Sequence, residues 1–164
     1  MPGWSRNRVV LLGLAGALTA SLAACGEGSK GKAGTSQLSP TQYDNAQRIG
    51  GYIRALNKVE APFTHPSTEP TNYTKAAQLL RANIAELASI TPPEQFRATQ
   101  AKLVRGLRRE LATTPEFERG KRTHNPIAIN NAEAKNVEAE HVVREALAEG
   151  GAVLSRCQHD SFSC

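Results

Sequence analysis

"ASITPPEQFRATQAKLVRGLRREL", residues 88–111, carries the pattern of a helical hairpin. Pro92 and Pro93 sit between two stretches of helical periodicity. Upstream, Ala76, Leu80, Ile84 and Leu87 recur at spacings of three and four, and downstream Phe96, Leu103, Val104, Leu107 and Leu111 share one face. Thr91 reads as the cap of the second stretch, with Pro92 in its first turn and Glu94 placed to close a capping box. Pro93 also falls in that turn, where a backbone N–H has no intrahelical acceptor to lose. So short a link forces the two helices into an antiparallel hairpin.

The same reading extends outward in both directions. Ser39 caps a first helix, with Pro40 at its first position and Gln42 three residues on, and Ala46, Ile49, Ile53 and Leu56 form its apolar stripe. "APFTHPSTEP", residues 61–70, holds three prolines and is expected to end it. A second helix is predicted over 72–89 and a third over 92–112, followed by a loop from Thr114 to Asn125 with at most a short turn at 115–118. Asn125-Pro126 starts a fourth helix, whose stripe contains Ile129, Ala132, Val143 and Leu147, and Gly150-Gly151 reads as its stop or kink. No stretch alternates with the period of two that a half-buried strand requires. The expectation is an all-α domain over residues 39–156, an antiparallel four-helix bundle with an Ala-, Leu- and Ile-rich core.

Ahead of the bundle, Arg6 and Arg8 precede an uncharged apolar run, "VVLLGLAGALTA" at 9–20, and small residues follow up to Cys25. That is the order of an export signal. The uncharged stretch from Val9 to Gly26 also reaches the length of a membrane span, but glycines and small residues dilute it and no basic stop-transfer cluster follows closely. Leu22-Ala23-Ala24-Cys25 resembles the lipobox of bacterial lipoproteins. The resemblance implies a cleaved signal peptide over 1–24, a diacylglyceryl thioether on Cys25, and a chain anchored in the bacterial membrane on its extracytoplasmic side. The hairpin at 88–111 is similar to one in small helical lipoproteins of high-GC Gram-positive bacteria, a likeness that implies no activity.

Residues 26–38, "GEGSKGKAGTSQL", have the composition of a flexible linker reaching roughly 20 Å. Gly26, Gly31 and Lys32 match the spacing of a phosphate-binding loop, yet Ala33 stands where a hydroxyl should meet magnesium, and no strand precedes the segment. The chain has 20 basic and 15 acidic side chains. Loss of residues 1–24 removes two arginines and no acid, leaving a net charge of +3 that gives no reason to expect a nucleic-acid partner. Cys157 and Cys164 bracket "CQHDSFSC" in a C-terminal tail; outside the cytoplasm such a pair is expected as a disulfide, and a metal reading with His159 finds no fourth ligand.

Three constellations remain. Glu138 and His141 have the Glu-x-x-His spacing of carboxylate metal bundles, but only one copy is present and it lies opposite the apolar stripe. Asn83 and Asn136 fall inside apolar stripes, where buried amides either fix helix register or line a polar pocket. Arg97, Lys102, Arg105, Arg108 and Arg109 fall on the outer face of the third helix, with Arg119, Lys121 and Arg122 beyond. They form either a solvated face relieved by Glu94, Glu110, Glu116 and Glu118, or a contact for anionic lipid or wall polymer. No GxSxG is present, Ser155 and His159 lie in the expected tail, and His65 and His124 lie in loops; no catalytic residue or cofactor is assigned. These features lead us to expect a binding or interaction module of the cell envelope. The alternative is a carrier holding a small ligand between the helices near Asn83 and Asn136.

Overall fold

The helices form where the apolar periodicity places them, and two of them run further than their sequences suggest. The structure is a computed structural model that describes residues 38–64 and 73–164, of which 59–64 by their backbone alone. The expected signal peptide, Cys25, the expected linker up to residue 37 and His65 lie outside the described residues. Four α-helices are present among them: α1 (Pro40–Thr64), α2 (Tyr73–Ser89), α3 (Arg97–Arg122) and α4 (Pro126–His159), with a 3-10 turn at Glu94–Phe96 leading into α3. No strand occurs among these residues, and the fold is an all-α bundle. None of the described helices is long and apolar enough to cross a membrane.

Local chemistry sets two of the starts as read. The Ser39 N–H donates to Gln42 Oε1 at 2.8 Å and the Gln42 N–H donates to Ser39 Oγ at 3.3 Å, the reciprocal pair of a capping box. Asn125 Oδ1 accepts from the Ala128 N–H at 3.1 Å, with Pro126 at the first helical position. The expected Thr91–Glu94 box does not form. Pro93, without a side-chain acceptor, occupies the cap position, and the chain enters through the 3-10 turn instead.

α2 and α3 run antiparallel, and so do α3 and α4. At one end of the α2–α3 pair the Gln100 Nε2–H groups donate to the carbonyls of Leu87 and Ile90, at 2.8 and 2.9 Å, so an α3 side chain satisfies the C-terminal end of α2. At the other end Tyr73 stacks on Phe117, with ring centroids 5.2 Å apart. One apolar cluster joins Leu80, Ile84 and Leu87 of α2 to Leu103 and Leu107 of α3 and Val143 and Ala146 of α4. A second gathers Ala46, Ile49, Tyr52 and Ile53 of α1 around Phe96, Leu154, Cys157 and Phe162.

The expected loop from Thr114 to Asn125 is corrected: α3 continues through Pro115 to Arg122. A proline inside a helix costs about 3 kcal/mol. Pro115 sits on the exposed side, while Thr113, Thr114, Phe117 and Gly120 are buried. Burial of Phe117 contributes roughly 1.5–3 kcal/mol, and together with the packing of Thr113, Thr114 and Gly120 it offsets the break. Gly150-Gly151 likewise neither stops nor ends α4, which reaches His159. α1 also extends a few residues past Ala61, to Thr64.

The α3–α4 seam explains why small residues stand there. Thr99, Gly106, Thr113 and Gly120 recur every seven residues and face Gly150, Val143, Asn136 and Ile129 in turn. A Cβ added at Gly106 would lie 2.7 Å from Val143 Cγ2 and 3.1 Å from the Val143 backbone nitrogen. One added at Gly120 would lie 2.8 Å from Ile129 Cγ1, and one at Gly150 3.3 Å from Thr99 Cγ2. The two backbones approach too closely for side chains, in the seven-residue rhythm of an antiparallel coiled coil.

Residues 157–164, expected as a tail, are part of the body. Cys157 and Cys164 are joined in a disulfide. Ser161 and Phe162 adopt left-handed backbone angles of 50° and 62° in φ, which turn the chain back so that Phe162 enters the α1 cluster. The Phe162 N–H donates to the Cys157 carbonyl at 2.6 Å. From α1, Gln42 Nε2 donates to Ser163 Oγ and Asn45 Nδ2 to the Phe162 carbonyl.

Candidate functional site: the outward face of helix α3

At 100° per residue, Arg97, Arg105, Arg108, Arg119 and Arg122 fall within an arc of about 100° on α3, opposite the stripe of Leu103, Leu107 and Phe117. All five are exposed. Between them the outward surface carries Ala98, Ala101, Ala112 and Pro115, residues too short to hold a partner away from the helix. From Arg97 to Arg122 the row extends about 37 Å. Among the described residues none of these five guanidinium groups makes an ion pair.

The acids of α3 are turned elsewhere. Glu110 is buried, 1% exposed, and so cannot relieve the surface charge. Both oxygens of Glu116 accept from Lys135 Nζ of α4 at 2.8 Å. Glu118 Oε1 accepts from Thr74 Oγ1 of α2 at 2.6 Å. Glu94 is exposed, in the 3-10 turn before α3 begins. α3 has eight basic and three acidic side chains, a net +5, whereas α4 has three basic and five acidic, a net −2. The domain's positive charge is therefore gathered on one helix.

Two residues of the expected basic set stand apart from the row. Lys102 leans to α4 and bonds Glu149 at 2.6 Å and Glu145 at 3.0 Å. Those hydrogen bonds, Glu149 first, hold its ammonium above the ordinary lysine range, and the bond from Lys102 holds Glu145 below the ordinary carboxylate range. Arg109 is exposed but lies at the α4 edge of the arc. Arg119 and Arg122, expected in a loop, are brought into line by the helix that continues through Pro115.

The other singled-out residues are placed as follows. Asn136 is buried, its Oδ1 3.2 Å from Thr113 Oγ1 and its Nδ2 donating to Glu140 Oε1 at 2.7 Å. It spans the α3–α4 seam, a register position. Asn83 is buried on α2. Glu138 and His141 are both exposed, and His141 Nδ1 lies 3.4 Å from Glu145. Among the described residues no group of three or more His, Cys, Asp or Glu side chains is placed to hold a metal. Ser155 and His159 are exposed, and His159 Nδ1 lies 3.1 Å from Asp160.

No family model, curated protein or solved structure matches the chain. The functional reading therefore stands on the residues and on the geometry of α3.

Proposed function

We propose that this protein is a lipid-anchored lipoprotein on the extracytoplasmic face of a bacterial membrane, and that its helical domain is a binding module of the cell envelope. The anchor is Cys25, and the export signal is the segment before it. The Cys157–Cys164 disulfide supports that address, because it fixes the turn that seats Phe162 in the core and such bonds persist in oxidising compartments. The observation that carries the binding reading is the outward face of α3, a row of arginines to which no acid among the described residues is drawn. An exposed single-sign face of this length attracts anionic surfaces over a Debye length of about 8 Å at physiological salt.

The carrier alternative relied on Asn83 and Asn136. With Asn136 engaged by Thr113 across a closely packed seam and by Glu140 on its own helix, the binding reading is the better supported. The anchor is tested in a bacterial host by metabolic labelling with palmitate and by cell fractionation. The wild-type chain should incorporate label and sediment with membranes; the Cys25→Ala chain should take up no label. Label on the Cys25→Ala chain, or none on the wild type, would refute it.

A further inference from the structure

From the row of guanidinium groups and the place where the linker leaves the bundle, we infer that α3 lies flat on the bilayer that holds the anchor, its arginines among anionic phospholipid headgroups. This rests on the reading of Cys25 as the lipid attachment point. The chain enters the described structure at Leu38, which packs against the cluster containing Phe96, the residue before α3 begins. Nearby, Gln42 bonds Ser163, and Gln95 approaches Cys164. The linker therefore joins the bundle at the Arg97 end of the row. Twelve residues separate Cys25 from Leu38, a reach of roughly 20 Å for a Gly- and Ser-rich segment. A bundle held at that end by so short a tether keeps the beginning of the row close to the membrane.

The geometry favours a planar partner. The five arginines follow one straight face for about 37 Å, separated by alanines and a proline that let the helix approach a surface along its whole length. Glu116 and Glu118 are drawn sideways to Lys135 and Thr74, off the face that would meet the headgroups. α4, the net acidic helix, stands beside α3 and not beneath it, so repulsion from an anionic bilayer adds to the orientation by keeping α4 raised.

The test uses protein purified from the membranes of cells expressing the full chain, mixed with phosphatidylglycerol-rich vesicles and separately with phosphatidylcholine vesicles. Phenylglyoxal modification of each arginine is read by peptide mass spectrometry. On the phosphatidylglycerol vesicles Arg105, Arg108 and Arg119 should react about fivefold more slowly than on phosphatidylcholine, the factor expected from headgroup attraction per basic side chain. High salt should abolish the difference, and Arg48 of α1 and Arg144 of α4 should not change. Equal slowing at all arginines, or none at the three, overturns the proposal. Slowing by soluble polyphosphate but not by vesicles overturns it in favour of an anionic polymer. The same peptide map reports the state of Cys25. Acylated Cys25 with unprotected arginines removes the docking and keeps the anchor; bare Cys25 with protected arginines does the reverse.

Discussion

Replacing Gly106 by alanine tests the close seam between α3 and α4, because two opposing effects can be given magnitudes. In an isolated helix the change is favourable by about 0.8–1 kcal/mol, since alanine gives up less backbone freedom. In the bundle the new Cβ would sit 2.7 Å from Val143 Cγ2 and 3.1 Å from the Val143 backbone nitrogen. A rotamer change could relieve the first contact at a cost, as valine is stiff in a helix. Nothing but separation of the helices relieves the second. Overpacking of this kind costs about 1–3 kcal/mol, so the net effect is destabilisation of about 1 kcal/mol.

Gly51→Ala on α1 is the comparison. There a Cβ would meet nothing nearer than the flexible end of Arg54, at 3.9 Å, so only the propensity gain of about 1 kcal/mol remains. In urea denaturation followed by far-ultraviolet circular dichroism, the two midpoints should move in opposite directions, by about 0.5 M each for an m-value near 2 kcal/mol/M. Adding Val143→Ala to Gly106→Ala should recover part of the loss as a favourable coupling energy. If Gly106→Ala stabilises as much as Gly51→Ala does, the helices are not in backbone contact at this level and the seam as described is wrong.

Other consequences follow from the C-terminal turn, the seam and the α1 core. Reduction of the Cys157–Cys164 disulfide should cost about 2–3 kcal/mol on the loop-entropy account, and Phe162→Ala should cost about 3–5 kcal/mol without any change of redox state; intact stability in reductant would contradict the role given to the turn. Asn136→Ala removes the bond across the seam and the donor to Glu140, while the Thr113 hydroxyl keeps the Glu110 carbonyl at 2.7 Å, so it should destabilise by about 0.5–1.5 kcal/mol in the same urea assay, with no loss expected if the amide were idle. Burial pushes the Tyr52 phenol up to about 12 from its ordinary 10. The unfolded chain therefore ionises this group first, so its contribution is complete below pH 10 and is lost as pH rises towards 12. Tyr52→Phe should flatten that alkaline fall in midpoint, and an unchanged profile would assign the fall to other groups.

Local signals were legible in the sequence, and tertiary ones were not. The Ser39–Gln42 box and the Asn125 cap involve partners three residues apart, so the pattern contains the whole interaction. The buried stripe of α2 was readable for the same reason. Pro115 and Gly150-Gly151 misled because a lone proline or glycine pair reads as punctuation. Here Pro115 is exposed beside a buried Phe117, and Gly150 is a spacer against Thr99. The recurrence of small residues at 99, 106, 113 and 120 was the available clue, and its meaning depends on the facing helix. Composition revealed the basic character of α3, but the diversion of Glu116 to Lys135 and Glu118 to Thr74 is set by neighbouring helices and cannot be read from spacing alone.

The proposal that this domain hangs from lipid on Cys25 outside the cytoplasm is open to direct measurement. Its most direct measurement is the intact mass of the protein extracted from membranes of a bacterial host. The predicted mass is that of a chain beginning at Cys25, bearing a diacylglyceryl group, with Cys157 and Cys164 oxidised. A mass that retains residues upstream of Cys25, or an unmodified thiol at that position, would contradict it.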